Sequence, residues 1–417
     1  MKHRSLTVLL LLFALALHGQ EASQEASQEA SAASPAADAP DIVSLSAVLM
    51  DAATGTVLYA KNGNTPIPPA SLTKLMTIHI ALQEVDAGRA SLDEIVELPK
   101  ESWAVNQPPR SSLMHLAQGQ IVSLRELILG LAIPSGNDAA VAVALRFSPT
   151  VPDFVNRMNA ETRRLGLTRT RFVEPSGISE DNMTTALEFA SFCREYINRH
   201  PDSLRDFHSV LEFSYPRAVN VAPEYRSRVG TWRQYNHNYL LADFEGADGL
   251  KTGYIDEAGY NIALTAARLE TRFIAVILGA PASWGGDRIR DADGRKLLSW
   301  GFDHFKTLRP PEPEINPARI WKGVSKWETP IPTEPLPFTT FVDRGENLSW
   351  EIRLEDPIIA PLPTGSLLGS LILSDDKGEL RRIPLVTPRE IEQGNIFKRG
   401  WDSVRLFFRR VFSKKAD

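Results

Sequence analysis

Ser71-Leu72-Thr73-Lys74 sets a hydroxyl and an amine at i and i+3. On a helix, residues at that spacing lie on one face, one turn above the other, so the two groups can share a proton. A serine hydroxyl is a poor nucleophile until a base takes its proton. A lysine serves as that base only where burial or a neighbouring cation lowers its pKa. A helix N-terminus also favours negative charge developing on the serine side. The spacing alone says little, because a chain of this length yields on the order of one or two such pairs by chance. Ser374-Asp375-Asp376-Lys377 is another such pair, but Asp375, Asp376 and Gly378 mark a hairpin turn there.

Two further segments carry usable groups. Ser135-Gly136-Asn137 follows Pro134 and interrupts an apolar helical run. A hydroxyl exposed at such a break can relay a proton to a leaving amine, and an amide can hold a peptide carbonyl. As a bare tripeptide this is also a common loop sequence. Lys251-Thr252-Gly253 opens a strand-rich stretch. It offers a cation, a hydroxyl that can donate to a carboxylate, and a glycine that lets a substrate backbone come close. Chance predicts roughly a tenth of such a match in this length. In isolation it also reads as an exposed strand start.

The elements around these groups are legible. Ser44 to Ala60 reads as a strand pair folded about Asp51-Ala52-Ala53-Thr54-Gly55. Pro68-Pro69-Ala70 precedes a helical run at Leu72, Leu75, Met76 and Ile80, a favoured place for proline. Leu124 to Ile133 is a second helix, which breaks at Pro134 and resumes over Ala139 to Leu145. Residues 151 to 200 read mainly as helix, interrupted at Glu174-Pro175-Ser176-Gly177. Asn261 to Ala266 and Arg272 to Leu278 are strand-like and could pair, and Lys296 to Phe305 looks like a closing helix. Strands at both ends with helices between predict one sheet whose edges come from distant sequence.

A boundary falls near Arg309-Pro310-Pro311-Glu312-Pro313. Beyond it Leu348, Trp350, Ile352 and Leu354 alternate with polar residues, as in a half-buried strand. Leu371-Ile372-Leu373 and Ile383 to Val386 flank the hairpin turn at 374–378. Residues 315–388 are therefore expected to form a small β domain. In 394–417, Phe397, Trp401, Val404, Phe408, Val411 and Phe412 share one helical face, and Lys398, Arg399, Arg405, Arg409, Lys414 and Lys415 fill much of the rest. Such a helix can lie in a membrane interface. Docking on its own protein is the plainer alternative, but the terminal position and the flanking charge favour the membrane.

Composition narrows the class. The chain has 417 residues, enough for two ordinary domains, with 43% hydrophobic and 23% charged residues and a net charge of −5. That charge gives no sign of a nucleic-acid partner. The single cysteine, Cys193, forbids an internal disulfide and fits a buried helical position. None of the eight histidines falls in a His-Glu-x-x-His pattern, which disfavours a zinc peptidase. Lys2, His3 and Arg4 precede an apolar run from Leu6 to Leu17 that is too short to span a bilayer comfortably. Residues 1–20 are expected to be a signal peptide, cleaved near His18 to Gln20, with no cysteine for lipid attachment. Residues 21–41, with their Glu-Ala-Ser-Gln repeats, are expected to be a low-complexity tether.

Ser-x-x-Lys, Ser-x-Asn and Lys-Thr-Gly in this order form the motif set of penicillin-binding proteins and class A β-lactamases. From about Ile42 to Phe305 the chain resembles the low-molecular-mass D-alanyl-D-alanine carboxypeptidases. The likeness extends to Pro69-Ala70-Ser71-Leu72-Thr73-Lys74, to Ser111-Ser112-Leu113-Met114 and to Pro134-Ser135-Gly136-Asn137-Asp138-Ala139. It continues in Lys251-Thr252-Gly253-Tyr254, in Ala258-Gly259-Tyr260-Asn261, and in Arg290-Asp291-Ala292-Asp293 before Leu297 to Phe302. The resemblance implies an α/β peptidase domain over 42–308, an antiparallel sheet flanked by helices with a helical subdomain, followed by the small all-β domain. It implies catalytic roles for Ser71, Lys74 and Ser135. It implies substrate contacts from Asn137, Lys251, Thr252, Gly253 and Tyr254, and a carboxylate-holding role for Arg290, with Arg288 and Arg295 as near rivals. The implied oxyanion donors are the backbone N–H groups of Ser71 and Tyr254.

The implied partners are D-Ala-D-Ala stem peptides of peptidoglycan, β-lactams as covalent inhibitors, and a membrane surface through the terminal helix. No cofactor is implied, and the expected location is the periplasmic face of the cytoplasmic membrane. Two segments depart from the family pattern. Glu174-Pro175-Ser176-Gly177-Ile178 stands where Asn-Pro-His-Gly-Leu is usual, and Tyr254 stands where histidine is common. β-Lactamase, D,D-endopeptidase and transpeptidase activity stay open as enzymatic alternatives. A membrane-held wall-binding scaffold is the non-enzymatic one.

Overall fold

Asp51 accepts from the Ala53 N–H at 2.8 Å and so bends the chain between two apolar strands. Ser46–Asp51 (β1) and Val57–Lys61 (β2) pair antiparallel across that turn, with Leu49 opposite Tyr59. The computed structural model describes residues 39–228 and 230–413, so the expected signal peptide and most of the expected tether lie outside the described residues.

Helices follow. Lys74–Asp86 (α1) grows out of a tight turn, and Leu124–Ala132 (α2) starts at a Ser123–Glu126 capping box. After the break at Pro134 the chain resumes as Asn137–Phe147 (α3), then Val151–Arg164 (α4) and Ala186–Arg199 (α5). Both α4 and α5 are capped by a threonine side chain, Thr150 and Thr185.

The chain returns as Ala247–Ile255 (β3), Gly259–Arg268 (β4) and Thr271–Ala280 (β5), all antiparallel. β1 adds to β5, with Ala47 opposite Ile277, and the sheet order is β2–β1–β5–β4–β3. Phe273 to Leu278 are all buried, because helices cover both faces of this strand. Each such large apolar side chain contributes about 1.5–3 kcal/mol on leaving water. On one face Val48, Met50, Ile274 and Val276 join the core that includes Phe189, Ala190 and Cys193 of α5.

The closing helix, Gly286–His304 (α6), begins well ahead of the expected Lys296. Its first turns carry Asp287, Arg288, Arg290, Asp291 and Asp293, which hide the apolar period. Two of these charges face inward with partners. Asp293 accepts from Ser44 N at 2.7 Å and Ser44 Oγ at 2.6 Å, while Arg290 pairs with Asp291 at 2.7 Å.

After His304 the chain enters a second compact unit. Phe305–Leu308 (β6) pairs with Phe338–Phe341 (β7), so this unit starts at Phe305 and contains the whole of 315–388. Ser349–Leu354 (β8), Leu367–Asp375 (β9) and Gly378–Val386 (β10) form an antiparallel meander, with half-buried Trp350 opposite Leu373. Lys377 sits in the β9–β10 turn, ion-paired with Asp343, which leaves the Ser374/Lys377 pair outside any catalytic arrangement. Ile396–Ser413 (α7) ends the described chain.

Candidate active site

Ser71 lies on a 3-10 turn, Ala70–Thr73, that runs directly into α1 at Lys74. In a 3-10 turn, side chains at i and i+3 eclipse rather than stagger. Ser71 and Lys74 therefore stand one above the other, with Lys74 Nζ donating to Ser71 Oγ at 3.0 Å. Ala70 holds φ at 50°, a strained value for a non-glycine residue, and so kinks the chain immediately before Ser71.

Lys74 is buried and fully engaged. Besides Ser71 it donates to Asn137 Oδ1 at 2.8 Å and to the Ser176 carbonyl oxygen. An ammonium has three donors, and these three acceptors use them all. Burial lowers the Lys74 pKa to about 7, against the opposing pull of Glu174 and Asp138. This is the range in which an amine can act as a base near neutral pH.

The break at Pro134 to Asn137 serves the same cleft. Ser135 holds φ at 63°, is buried, and its Oγ has no hydrogen-bond partner among the described residues. A buried hydroxyl left unpaired is costly, and such groups gather where a ligand supplies the missing bond. Asn137 opens α3; its amide oxygen faces Lys74 and its Nδ2 donates to Ser111 Oγ at 3.2 Å. Asp138 ties this turn to the preceding loop by accepting from Met114 N at 2.8 Å and Leu116 N at 2.9 Å.

Lys251, Thr252 and Gly253 lie on β3, the edge strand facing the Ala70–Thr73 turn, and Lys251 and Thr252 are buried. Gly253 is needed for clearance: a Cβ there would lie 2.9 Å from Pro69 O and 3.0 Å from Ser71 N. The Lys251 pKa falls well below its ordinary value, through burial and then through Lys74 and Arg290. Three basic side chains thus lie close together, an arrangement in which a bound carboxylate would favour their charged forms. Of the three arginines near this segment, Arg290 is the one that lies close enough to Lys251 to lower its pKa. Arg288 lies over the exposed Trp284 ring, and Arg295 pairs with Asp243. Tyr254 turns its side chain outward, donates to Asp256 Oδ1 at 2.6 Å, and packs on Tyr260 at 4.3 Å between ring centroids.

The structure therefore brings Ser71, Lys74, Asn137, Lys251 and Arg290 around one cleft, with Ser135 at the turn that carries Asn137. The Asn137 oxygen accepts from Lys74, while its NH2 group, the part that could hold a peptide carbonyl, donates to Ser111 Oγ. Ser176 and Asn182 carry no motif of their own, yet Ser176 O meets Lys74 and Asn182 Nδ2 meets Thr73 Oγ1 at 3.3 Å. Their signal was the unusual Glu174 segment itself, whose carboxylate binds both residues. Among the described residues no cluster suited to a metal ion occurs.

Residues 33–282 match the D-alanyl-D-alanine carboxypeptidase family. Over 384 residues, 90% of this chain and 91% of the relative, the chain is 33% identical to D-alanyl-D-alanine carboxypeptidase DacC of Escherichia coli (strain K12). Penicillin binding protein 5 from Haemophilus influenzae matches with a TM-score of 0.72 at 28% identity, over 85% of this chain and 99% of that one. Penicillin-Binding Protein D2 from Listeria monocytogenes, in its cefotaxime-bound form, matches with a TM-score of 0.54 at 30% identity, over 63% of this chain and 98% of that one. The fold is that of the penicillin-binding proteins, and the chain belongs to the D-alanyl-D-alanine carboxypeptidase family of serine peptidases.

Proposed function

We propose that this chain removes the terminal D-alanine from peptidoglycan pentapeptide stems through an acyl-enzyme on Ser71. The observation that carries this reading is the Lys74 amine, set 3.0 Å from Ser71 Oγ and held by two carbonyl oxygens. Neutral Lys74 takes the Ser71 proton as Oγ bonds to the carbonyl carbon of the penultimate D-alanine. The oxyanion is received by the N–H groups of Ser71 and Tyr254, worth about 3 kcal/mol per donor. The carbon–nitrogen bond then breaks, and the departing amine takes a proton passed from Lys74 through Ser135. Water hydrolyses the ester and restores Ser71.

Arg290, Thr252 and Lys251 receive the substrate's terminal carboxylate. A carboxylate beside Lys251 favours protonation there and leaves Lys74 the neutral partner of the pair. A β-lactam presents a carboxylate and a strained amide to the same groups, and its opened ring stays attached to Ser71. Glu174 supports hydrolysis of peptide rather than rapid turnover of β-lactam. Its carboxylate accepts from Ser176, Gly177 and Asn182, which leaves it no free lone pair to orient a water.

The proposed location is the periplasmic face of the cytoplasmic membrane, reached by export and kept by α7. Among the described residues no helix is long and apolar enough to cross a membrane. α7 docks on its own unit through a polar side: Asp402, 2% exposed, accepts from Lys322 N at 2.8 Å. Its aromatic side points outward, with Phe397 84% and Trp401 61% exposed. A helix made only to dock would bury those rings, so this orientation supports an interfacial anchor.

The test is mass spectrometry after incubation with penicillin, alongside D-alanine release from a pentapeptide. A Ser71-linked adduct, absent in Ser71→Ala, and measurable D-alanine release are expected. An adduct that persists in Ser71→Ala, or penicillin hydrolysis without D-alanine release, overturns the reading.

A further inference from the structure

The Glu174 carboxylate is turned into its own loop. Oε1 accepts from Gly177 N at 2.6 Å and Asn182 Nδ2 at 2.7 Å. Oε2 accepts from Ser176 N at 2.7 Å and Ser176 Oγ at 2.6 Å. A carboxylate offers about four lone-pair sites, and these donors fill them.

The loop so folded touches the catalytic turn at several points. Ser176 O receives the Lys74 amine, and Pro175 O accepts from Thr77 Oγ1 at 2.7 Å. Asn182 carries the Glu174 contact on to Thr73 Oγ1 at 3.3 Å. Gly177, at φ 85°, lies flat on the Ala70–Ser71 peptide, where an added Cβ would come within 1.9 Å of Ala70 O and 2.8 Å of Ser71 N.

Orientation is what this loop supplies. A neutral lysine has two N–H donors and one lone pair. Around Nζ, Asn137 Oδ1 and Ser176 O are acceptors that can offer no proton, whereas Ser71 Oγ can donate. The two carbonyl oxygens take the two N–H bonds, and the lone pair is left facing Ser71. Without Ser176 O the amine is free to rotate about its last bond, and the lone pair leaves the attack line. General-base catalysis depends on that alignment.

We propose that Glu174 is a positioning residue for the acylation step, folding the 174–179 loop so that the Ser176 carbonyl aims the Lys74 lone pair at Ser71. The proposal rests on the reading of Ser71 as nucleophile and Lys74 as base. Glu174 also acts on Lys74 through space. Burial lowers the Lys74 pKa, and the Glu174 charge opposes that fall.

Glu174→Gln tests it. The amide turns an NH2 group towards donors that the carboxylate now accepts from, and it removes the charge. The readout is the pH profile of the second-order rate constant for penicillin acylation, per mole of labelled protein. The plateau is expected to fall roughly tenfold to a hundredfold. The acid limb, where Lys74 loses its proton, is expected to move to lower pH, because the charge that favoured the protonated form is gone. A purely structural role would reduce the labelled fraction and the melting temperature and leave the limb in place. An undiminished plateau or an unmoved limb overturns the proposal. Should Glu174→Gln fail to fold, Asn182→Ala keeps the charge and cuts the link to Thr73. It is expected to lower the plateau with the limb in place, and a plateau equal to wild type overturns the proposal. Failure of the wild type to acylate at Ser71 would instead remove the reading on which it rests.

Discussion

Lys74 Nζ donates to Asn137 Oδ1 at 2.8 Å and so joins the first motif to the second across the cleft. The amide cannot flip without penalty, because a flip would turn its NH2 group towards the Lys74 amine. Asn137→Ala removes one of the two acceptors that orient the Lys74 amine. Acylation by penicillin is expected to slow about a hundredfold, within the range of general-base losses. Stopped-flow acylation measures this, and a rate within twofold of wild type would count against the role. Asn137→Asp keeps an acceptor but adds negative charge beside Nζ. That holds the proton on Lys74, so the acid limb of the acylation profile is expected to move to higher pH.

Burial brings the Lys74 pKa down to about 7, and the base form is the neutral amine. Below pH 7 Lys74 keeps its proton and has no lone pair to offer Ser71. Acylation is therefore expected to fall about tenfold for each pH unit below the midpoint and to level off above it. The acylation rate constant measured from pH 5 to 9 checks this. A profile flat across pH 7, or one that rises towards acid, would show that another group acts as base.

Arg290 lies buried beside Asp291 and close enough to Lys251 to depress its pKa. A charge-assisted bond to a substrate carboxylate contributes about 1.5–3 kcal/mol. Arg290→Ala is expected to lower kcat/KM on a D-Ala-D-Ala peptide roughly tenfold to a hundredfold, with Arg290→Lys recovering part of the loss. Arg288→Ala and Arg295→Ala, whose side chains lie on Trp284 and Asp243, should leave it near wild type. Equal losses in all three would show a general effect of charge rather than one contact.

The strands and the motif order were readable because apolar periodicity and glycine placement are local signals. β5 shows this well, since Phe273 to Leu278 are unbroken apolar residues and all are buried. The first half of α6 was not readable. Its inward positions at Arg290 and Asp293 are charged, and their partners Ser44 and Asp291 become visible only in three dimensions. The same holds in the cleft. Ser71 and Lys74 are marked by spacing, but Ser176 meets Lys74 through a backbone carbonyl, a group that every residue carries. Only the Glu174 side chain left a trace in the sequence, as a departure from the family pattern.

α7 leaves a row of rings exposed and keeps its polar contacts for its own unit. Phe397, Trp401, Phe408 and Phe412 are exposed, while Asp402 accepts from Lys322 N and Arg409 pairs with Asp356. Each ring moved from water into an interface contributes about 1.5–3 kcal/mol if it is fully buried. Lys398, Arg399 and Arg405 add attraction to anionic lipid that salt screens. Deletion of 394–417 is expected to release the protein from anionic phospholipid vesicles in a flotation assay, with D-alanine release from a soluble pentapeptide unchanged. Trp401→Ala with Phe408→Ala is expected to weaken vesicle binding at least tenfold without lowering the melting temperature, since neither ring is buried in the fold. Binding by the double variant equal to wild type would mean that these rings do not enter the lipid, and that the basic residues or another surface hold the protein there.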